Sequence, residues 1–359
     1  MFRRLIMLKM KRMSIFFLIL ALLIAPAAWA GDDPAWLETG RKTLTRAMSQ
    51  IGLSKADPNL LVLTNAGYGN VAGKSTEAFL DITMQETGCS PGARSFLPVH
   101  TGVREPLWCS VYRKDTGGLV FLKWTGKGFE LQMIDASPAN ILTPDGWKEA
   151  GSGLIGGRLF SVASLCVTCA VDPPWALLTA ALFHDHFCPG VNSGYMAGLY
   201  VLDKLPLRPG ERYVFVTSPG KCAADALQVM LNTTAGKGSG YTMAIGGGSL
   251  AGYEKDGVRP LIIAMRVNSK ADTCDGRVLG FNWNKAYRDT GVKADEMSPK
   301  GGPGNPIFWI SRTKMSRELA RLSKGEMLAY IKDFRAFSGN ADLVDRIAGG
   351  DPYSVVWNR

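Results

Sequence analysis

The sequence predicts an α+β fold in which mixed sheets are covered by helices. Short apolar runs at residues 60–64, 213–218 and 261–265 have the length and composition of buried strands. Segments with apolar residues at helical spacing alternate with these runs. The order of strand, loop and helix in the first half also returns in the second half. We therefore predict two similar halves in a pseudo-two-fold arrangement, followed by a helical tail.

Residues 1–30 have the features of a secretory signal peptide. The stretch starts with basic residues and no acidic ones, continues with an apolar run at 15–24, and ends in Ala28-Trp29-Ala30. Small residues at both ends of that tripeptide fit the cleavage rule. We predict cleavage after Ala30 and a periplasmic or secreted mature protein. An uncleaved N-terminal anchor is the alternative.

The mature chain would have about 329 residues and a formal net charge of +5, because residues 1–30 carry five of the basic residues. The remaining Lys and Arg residues are scattered and form no run interleaved with aromatic side chains, so nucleic-acid binding is not expected. The length favours more than one domain. We divide the chain into residues 31–160, 161–300 and 301–359.

The first half, residues 31–160, is predicted to be a helix followed by strands and a second helix. Apolar periodicity and breaks at Gly, Pro and Asn set the limits. A Thr-Gly-Lys-Gly turn at 125–128 joins the last two strands as a hairpin. The predicted elements are helices at 32–52 and 74–87 and strands at 60–64, 119–124 and 129–134.

The strongest chemical signature is Phe-His-Asp-His-Phe-Cys-Pro-Gly at residues 183–190. His184, His186 and Cys188 lie within five residues, although the whole chain has only three histidines. Imidazole and thiolate bind borderline metals such as zinc and nickel. Pro189 suits the first turn of a helix, so Cys188 should be the N-cap, where free N–H groups favour a thiolate. The segment predicts a site for a divalent transition metal; a helix start with incidental histidines is the alternative.

A second strand-turn-helix unit, with its strand at 213–218, is expected to add groups to this site. The strand leads to Cys222 at the start of a helix, and Asp225 lies three residues later on the same helical face. Cys222 should therefore lie near the histidines as a thiolate. Gly236-Lys237-Gly238 is either a loop that binds an anionic group of a ligand or a plain connector.

The combination of these motifs resembles the FmdE family, which is named for one component of formylmethanofuran dehydrogenase. The matching stretch runs from about residue 180 to residue 243 and includes the motif at 184–190, Cys222, Asp225 and the Gly-Lys-Gly. The resemblance implies a metal-associated α+β core domain, which we place at 161–300. The chain departs from the family pattern at Asp185, where glycine is usual, and at Thr233, where cysteine is common.

Cys166 and Cys169 form a Cys-x-x-Cys pair whose role is left open. A local disulfide or two buried side chains would be structural explanations. Alternatively, the pair lies near His184 and adds thiol ligands or a redox couple. Ala170 stands where covalent haem attachment needs histidine, so haem is not expected.

The first half is predicted to be a degenerate copy of the second. Residues 60–66 are similar to 213–219, and the strand at 119–124 is matched with that at 261–266. The first half lacks the His-x-His-x-Cys motif, and Cys89 has the position that Thr233 has in the second half. We expect the loops around Tyr68 and Cys89 to form one wall of a site at the seam.

The tail, residues 301–359, is expected to serve packing or partner contact. Its charges and apolar stripes predict three helices, at 316–322, 324–337 and 340–347.

Two classes of function are compatible with these features. The first is a periplasmic protein that binds a divalent metal, zinc or nickel, or a small metal-containing ligand, and delivers it to a transporter or another periplasmic partner. The second is a hydrolytic or redox metalloenzyme, with Asp225 or Asp185 as general base. Whether the protein forms a homodimer is left open.

Overall fold

The computed structural model describes residues 35–245, 248–298 and 304–358. The signal-peptide prediction for residues 1–30 lies outside this part of the chain. The described residues form thirteen helices and two mixed five-stranded sheets, which confirms the predicted α+β class. Among them, no helix combines the length and the apolar character that a membrane crossing requires.

The first part of the chain builds one sheet and the helices beside it. Its helices are α1 (Ala35–Gln50), α2 (Ala78–Thr87), α3 (Pro138–Ile141) and α4 (Pro144–Gly151). Its strands are β1 (Leu60–Thr64), β2 (Asn70–Val71), β3 (Lys74–Ser75), β4 (Phe96–Pro98), β5 (Trp108–Arg113), β6 (Gly118–Trp124) and β7 (Phe129–Asp135).

The second part builds the other sheet and most of the helices. The helices are α5 (Leu159–Cys169), α6 (Trp175–Phe183), α7 (Pro189–Lys204), α8 (Ala223–Leu231), α9 (Trp283–Thr290), α10 (Pro306–Ala320), α11 (Lys324–Leu328), α12 (Leu343–Gly349) and α13 (Pro352–Trp357). The strands are β8 (Arg212–Thr217), β9 (Gly240–Thr242), β10 (Pro260–Asn268), β11 (Thr273–Phe281) and β12 (Ile331–Gly339).

The two five-stranded sheets have the same strand order and the same strand directions. In the first, β1 lies between parallel β4 and antiparallel β5, and β6 and β7 follow as antiparallel strands. In the second, β8 lies between parallel β9 and antiparallel β10, followed by β11 and β12. Strand β10 therefore corresponds to β5, and the predicted match of 119–124 with 261–266 is wrong by one strand.

The helices that flank the first long strand also lie on the same side of both sheets. Alternate residues of β1 face α1 and α2, and the residues at corresponding positions of β8 face α7 and α8. Leu60 and Val62 belong to one buried cluster with Leu44 and Phe79 in the first half, and Tyr213 and Phe215 belong to another with Val201 and Leu227 in the second. Strand order and helix placement are thus common to both halves.

One hydrophobic core connects the first sheet to the helices that carry the metal-binding candidates. The other face of β1, through Leu61 and Leu63, belongs to the same buried cluster as residues of α5, α6, α7 and α10. A buried pair, Asn192 and Ser316, adds hydrogen bonds between α7 and α10. The start of α7 is therefore held from several directions.

The predicted helix at 324–337 is wrong for most of its length. A capping box between Ser323 and Glu326 starts α11, but this helix ends at Leu328. The chain then forms β12, which is antiparallel to β11 at the edge of the second sheet. Edge strands often carry charged residues on partly solvated faces. In β12 one of these residues, Asp333, pairs with Arg277 of β11. The strand therefore lacks the apolar alternation from which a strand is predicted.

Candidate metal centre

The candidate ligands lie on the turn that connects α6 to α7. His184 is the C-cap of α6, and its backbone N–H donates a hydrogen bond to the Ala180 carbonyl. Cys188 is the N-cap of α7 in an extended conformation, with Pro189 in the first turn, as the sequence predicted. Helix α7 can lie close to α8 because a Cβ on Gly194 would come within 2.4 Å of the Ala223 carbonyl oxygen.

His184, His186 and Cys188 form a compact group of potential metal ligands. One ligand atom from each residue lies within 4.8 Å of the others, and the two imidazole centroids are 4.3 Å apart. Donors around a tetrahedral zinc, with bonds of 2.0–2.3 Å, are about 3.3–3.8 Å from one another. A small inward movement of side chains would therefore bring the three donors to one ion.

Both imidazoles are oriented by carboxylates. Nδ1 of His184 donates to Asp225 across 2.6 Å, and Nδ1 of His186 donates to Asp185 across 2.5 Å. With Nδ1 bonded to a carboxylate, Nε2 is the nitrogen left for a metal. Nε2 of His184 is buried and makes no hydrogen bond of regular geometry in the described residues, although the Cys222 side chain lies close enough to raise the pKa of the ring. A carboxylate-oriented histidine whose Nε2 makes no regular hydrogen bond is the arrangement of a metal ligand, so the residues fit a metal.

Asp185 has a left-handed backbone, with φ of 68°. Glycine adopts this conformation without strain, and aspartate is one of the few other residues that tolerate it. The Asp185 carboxylate holds His186 and accepts a further hydrogen bond from Arg158 at 3.2 Å. The other terminal nitrogen of Arg158 pairs with Glu105 of the first half. The departure from the family's glycine thus adds a carboxylate that orients a histidine.

Cys222 lies immediately before α8 and beside Cys188. Gly190 separates them: a Cβ there would lie 3.2 Å from Sγ of Cys222 and 3.6 Å from Sγ of Cys188. Two thiols and two imidazoles therefore border one small volume, and Asp225 approaches it from the first turn of α8.

The protonation of this group follows from its contacts. The pKa of Cys222 falls to about 4, chiefly because Cys188 hydrogen-bonds to its thiolate, with His184 adding to the effect against the cost of burial. The same contact, together with burial, raises the pKa of Cys188 well above its ordinary value. Burial lowers the pKa of His184, but Asp225 and Cys222 outweigh it and raise it to about 9. The low pKa of Cys222 agrees with the thiolate expected there, whereas the raised pKa of Cys188 does not agree with the thiolate expected at the start of α7. A bound metal would have to displace the protons of Cys188 and of His184 Nε2.

Aromatic side chains and two cavities surround the group. The ring of Phe160 is 4.8 Å from His186 and 4.6 Å from Trp309. One cavity, of about 640 Å³, is lined by Asp185 and His186 among others. A second, of about 510 Å³, is lined by both Cys188 and Cys222. Small molecules can therefore approach from the thiol side and from the imidazole side.

The cysteines outside this group are placed elsewhere. Cys166 is fully buried in α5 near Ser110 of the first sheet, and Cys169 lies toward Lys114 and Asp172. Both are free thiols, Cys166 buried and Cys169 half-buried, and the structure shows neither a local disulfide between them nor a place for them in the His/Cys group. Cys89 lies in the core of the first half, near Cys109, and does not form part of the expected wall.

Tyr68 and Lys237 have different outcomes. Tyr68 contacts His100 edge-on at 4.9 Å, and His100 stacks on Phe183, the residue before His184. The first half thus reaches the neighbourhood of the site through Tyr68.

Lys237 pairs with Asn232, which ends α8 in a left-handed conformation. Its positive charge therefore offsets the partial negative charge at the C-terminal end of α8, whereas Cys222 lies at the start of this helix.

Several residues at the site were not predicted from the sequence. Arg158, Glu105, Phe160, Trp309 and Arg312 come from distant segments and belong to no motif. Packing of α5 and α10 brings Phe160 and Trp309 to the turn. Arg158 and Glu105 reach it through their ion pairs, and Arg312 lines the cavity beside Cys188 and Cys222. Asp225, by contrast, could be found from its spacing to Cys222.

The fold and donor set define an α+β protein with a candidate His/Cys metal centre. Residues 183–291 match the family model FmdE, described as "Molybdenum formylmethanofuran dehydrogenase operon". The predicted resemblance is confirmed, and this stretch of the chain is an FmdE domain. It includes the whole His/Cys group as well as Asp225. The search of curated proteins found no match.

Proposed function

We propose that the protein binds a divalent transition metal through His184, His186, Cys188 and Cys222, and that it carries or delivers this metal. The observation that carries the proposal is the buried Nε2 of His184, which makes no hydrogen bond of regular geometry while Asp225 holds Nδ1 and the Cys222 thiolate lies beside the ring. Leaving a buried polar atom without a regular hydrogen bond costs free energy that a bound ion would recover. The FmdE match and the compact His/Cys group independently indicate a metal-related role.

Zinc or nickel suits this donor set best. Two imidazole nitrogens and two thiolates are borderline and soft ligands, which favour such ions over magnesium or calcium. A bound ion would supply a Lewis acid that holds a thiolate-rich coordination shell. Four protein ligands leave no coordination position for catalysis, which favours a carrier over an enzyme.

A metalloenzyme is the second candidate, and the cavities favour it. Both open next to the ligand group, so that a substrate could approach if Cys222 or another ligand left the ion. Asp185 or Asp225 would then be the nearest carboxylates for proton transfer. A carrier uses the same openings for metal transfer to a partner.

We further propose that the protein works in the periplasm, that it passes its metal to a transporter or another periplasmic partner, and that its first half is a degenerate duplicate. The basic, apolar and Ala28-Trp29-Ala30 segments of residues 1–30 support export. The common strand order and helix placement of the two halves support duplication. In this view the first half has lost its own ligands and retains a structural role through Tyr68 and Glu105.

The metal proposal is tested by replacing both His184 and His186 with alanine and measuring bound metal by elemental analysis after loading with zinc or nickel. The wild-type chain should hold one ion per molecule and the folded double variant should hold none. His100→Ala, which removes the third histidine, is the matched control and should retain the ion. Unchanged stoichiometry in the double variant would overturn the proposal.

A further inference from the structure

The cavity on the thiol side has a composition suited to a small organic anion. It has a volume of about 510 Å³, within the range of small-molecule sites. One wall is apolar and includes Trp283, Tyr287 and Leu261. The other is formed by the starts of α7 and α8, at Cys188 and Cys222. Neither helix has a side-chain N-cap hydrogen bond, so partial positive charge is directed at the cavity.

Arg312 supplies a fixed positive charge to the same cavity. Its side chain lies over the Phe308 ring, 3.4 Å from the centroid, and donates to the carbonyls of Met297 and Phe308. In the described part of the chain no carboxylate pairs with it, whereas Arg259, at the same cavity, pairs with Glu254. Carbonyl contacts and ring stacking position a guanidinium but do not neutralise it.

Lys221 adds a second cation at the cavity, one residue before Cys222. No described acidic side chain pairs with Lys221 either. The lining therefore contains two cations without a carboxylate partner, the Cys222 thiolate, whose charge acts on Arg312, and one neutral ion pair, Arg259–Glu254. The two cations outnumber the thiolate, so the cavity keeps a net positive charge. A half-buried guanidinium facing a concave apolar surface is a favourable partner for a carboxylate or a similar anion.

We propose that this cavity binds a small organic anion with a planar or apolar body, and that Arg312 receives its anionic group. The inference depends on the proposed function only for the position of the cavity, which is lined by two of the proposed metal ligands, Cys188 and Cys222. There the anion would lie beside the metal as part of a cargo complex or as a substrate. Its recognition by Arg312 and the apolar wall requires no metal.

The test uses 2-naphthoate and its neutral analogue 2-naphthamide, with affinities measured by isothermal titration calorimetry on the mature chain. We expect 2-naphthoate to bind at least about tenfold more tightly than the amide, since a charge-assisted hydrogen bond is the stronger kind. Arg312→Met should reduce this preference to less than about twofold. Arg321→Met, which removes an exposed arginine just after the same helix, should leave the preference unchanged.

Two further variants separate folding and metal binding from anion recognition. Lys221→Met changes an exposed side chain and should weaken 2-naphthoate binding about two- to threefold even if Arg312→Met fails to fold. The His184→Ala/His186→Ala chain should keep the preference for the anion after losing metal. Three results would overturn the inference and leave the metal proposal intact. They are equal affinities for the two probes, no binding of either probe, and an undiminished preference for 2-naphthoate in folded Arg312→Met. Loss of metal binding alone would have no bearing on it.

Discussion

The imidazole of His184 and the carboxylate of Asp225 are joined by a 2.6 Å hydrogen bond across 41 positions of sequence. This bond connects the end of α6 to the first turn of α8. It fixes the ring so that Nε2 points into the candidate site.

Replacing Asp225 by Asn should weaken metal binding by about 10–100-fold, the usual effect of losing a carboxylate behind a ligating histidine. The charge that strengthens the histidine as a donor would be lost, although the side-chain shape is kept. Competition with a chelator of known affinity measures the change. Asp203→Asn, at an exposed position near the end of α7, is the control and should bind metal as the wild type does. Equal affinity in both variants would mean that Asp225 has no part in the centre.

Cys222→Ser should remove one thiolate from the coordination shell. In the cobalt-substituted protein, the sulfur-to-cobalt absorption in the near ultraviolet should fall to roughly half, because one of two thiolates remains. Cys169→Ser, at a half-buried cysteine elsewhere, should leave the spectrum intact. A spectrum that does not respond to Cys222→Ser would restrict the ligands to His184, His186 and Cys188.

The left-handed backbone of Asp185 gives a stability test with two variants. Asp185→Gly and Asp185→Ala both remove the contacts with His186 and Arg158, but only alanine must bear the strain of φ at 68°. The glycine variant should therefore be more stable than the alanine variant by about 1–2 kcal/mol. Urea unfolding of the two metal-free proteins measures this difference. Equal stability would show that the backbone relaxes when the side chain is removed.

Stability at acid pH should depend on Asp275. Arg266, whose side chain is only 7% exposed, donates to Asp275, and this hydrogen bond and that from Ser338 lower the pKa of the carboxyl. Because the folded pKa lies below the unfolded value of about 3.9, the stabilisation is complete above that value and is lost as pH falls through the folded pKa. Asp275→Asn should therefore flatten the loss of unfolding free energy below about pH 4.

The matched variant for this measurement is Asp81→Asn, at an exposed position of α2. Its acid profile of unfolding free energy should follow the wild type. If the Asp275→Asn profile does the same, the ion pair with Arg266 contributes nothing to acid sensitivity.

The sequence revealed the elements whose local pattern matches their final surroundings. Strands β1 and β8 are apolar on both faces because helices cover one side and a core layer covers the other, so their composition identified them. The turn that carries the candidate ligands was equally predictable from the sequence, since Pro189 and Cys188 specify a helix start by themselves. Strand β12 was mistaken for helix because its partly solvated edge position removed the alternation. Arg158 and Arg312 were missed because their roles depend on packing between distant segments.

Strand β12 also limits how the FmdE domain can be isolated. The matched stretch ends at residue 291, yet the second sheet is completed by residues 331–339. A fragment cut at the family boundary would leave the backbone donors and acceptors of β11 open along one whole edge. Such an edge recruits strands from neighbouring molecules, so the excised domain would tend to aggregate. A recombinant fragment of this region must extend beyond Gly339, so that β12 covers the edge of β11 and limits aggregation.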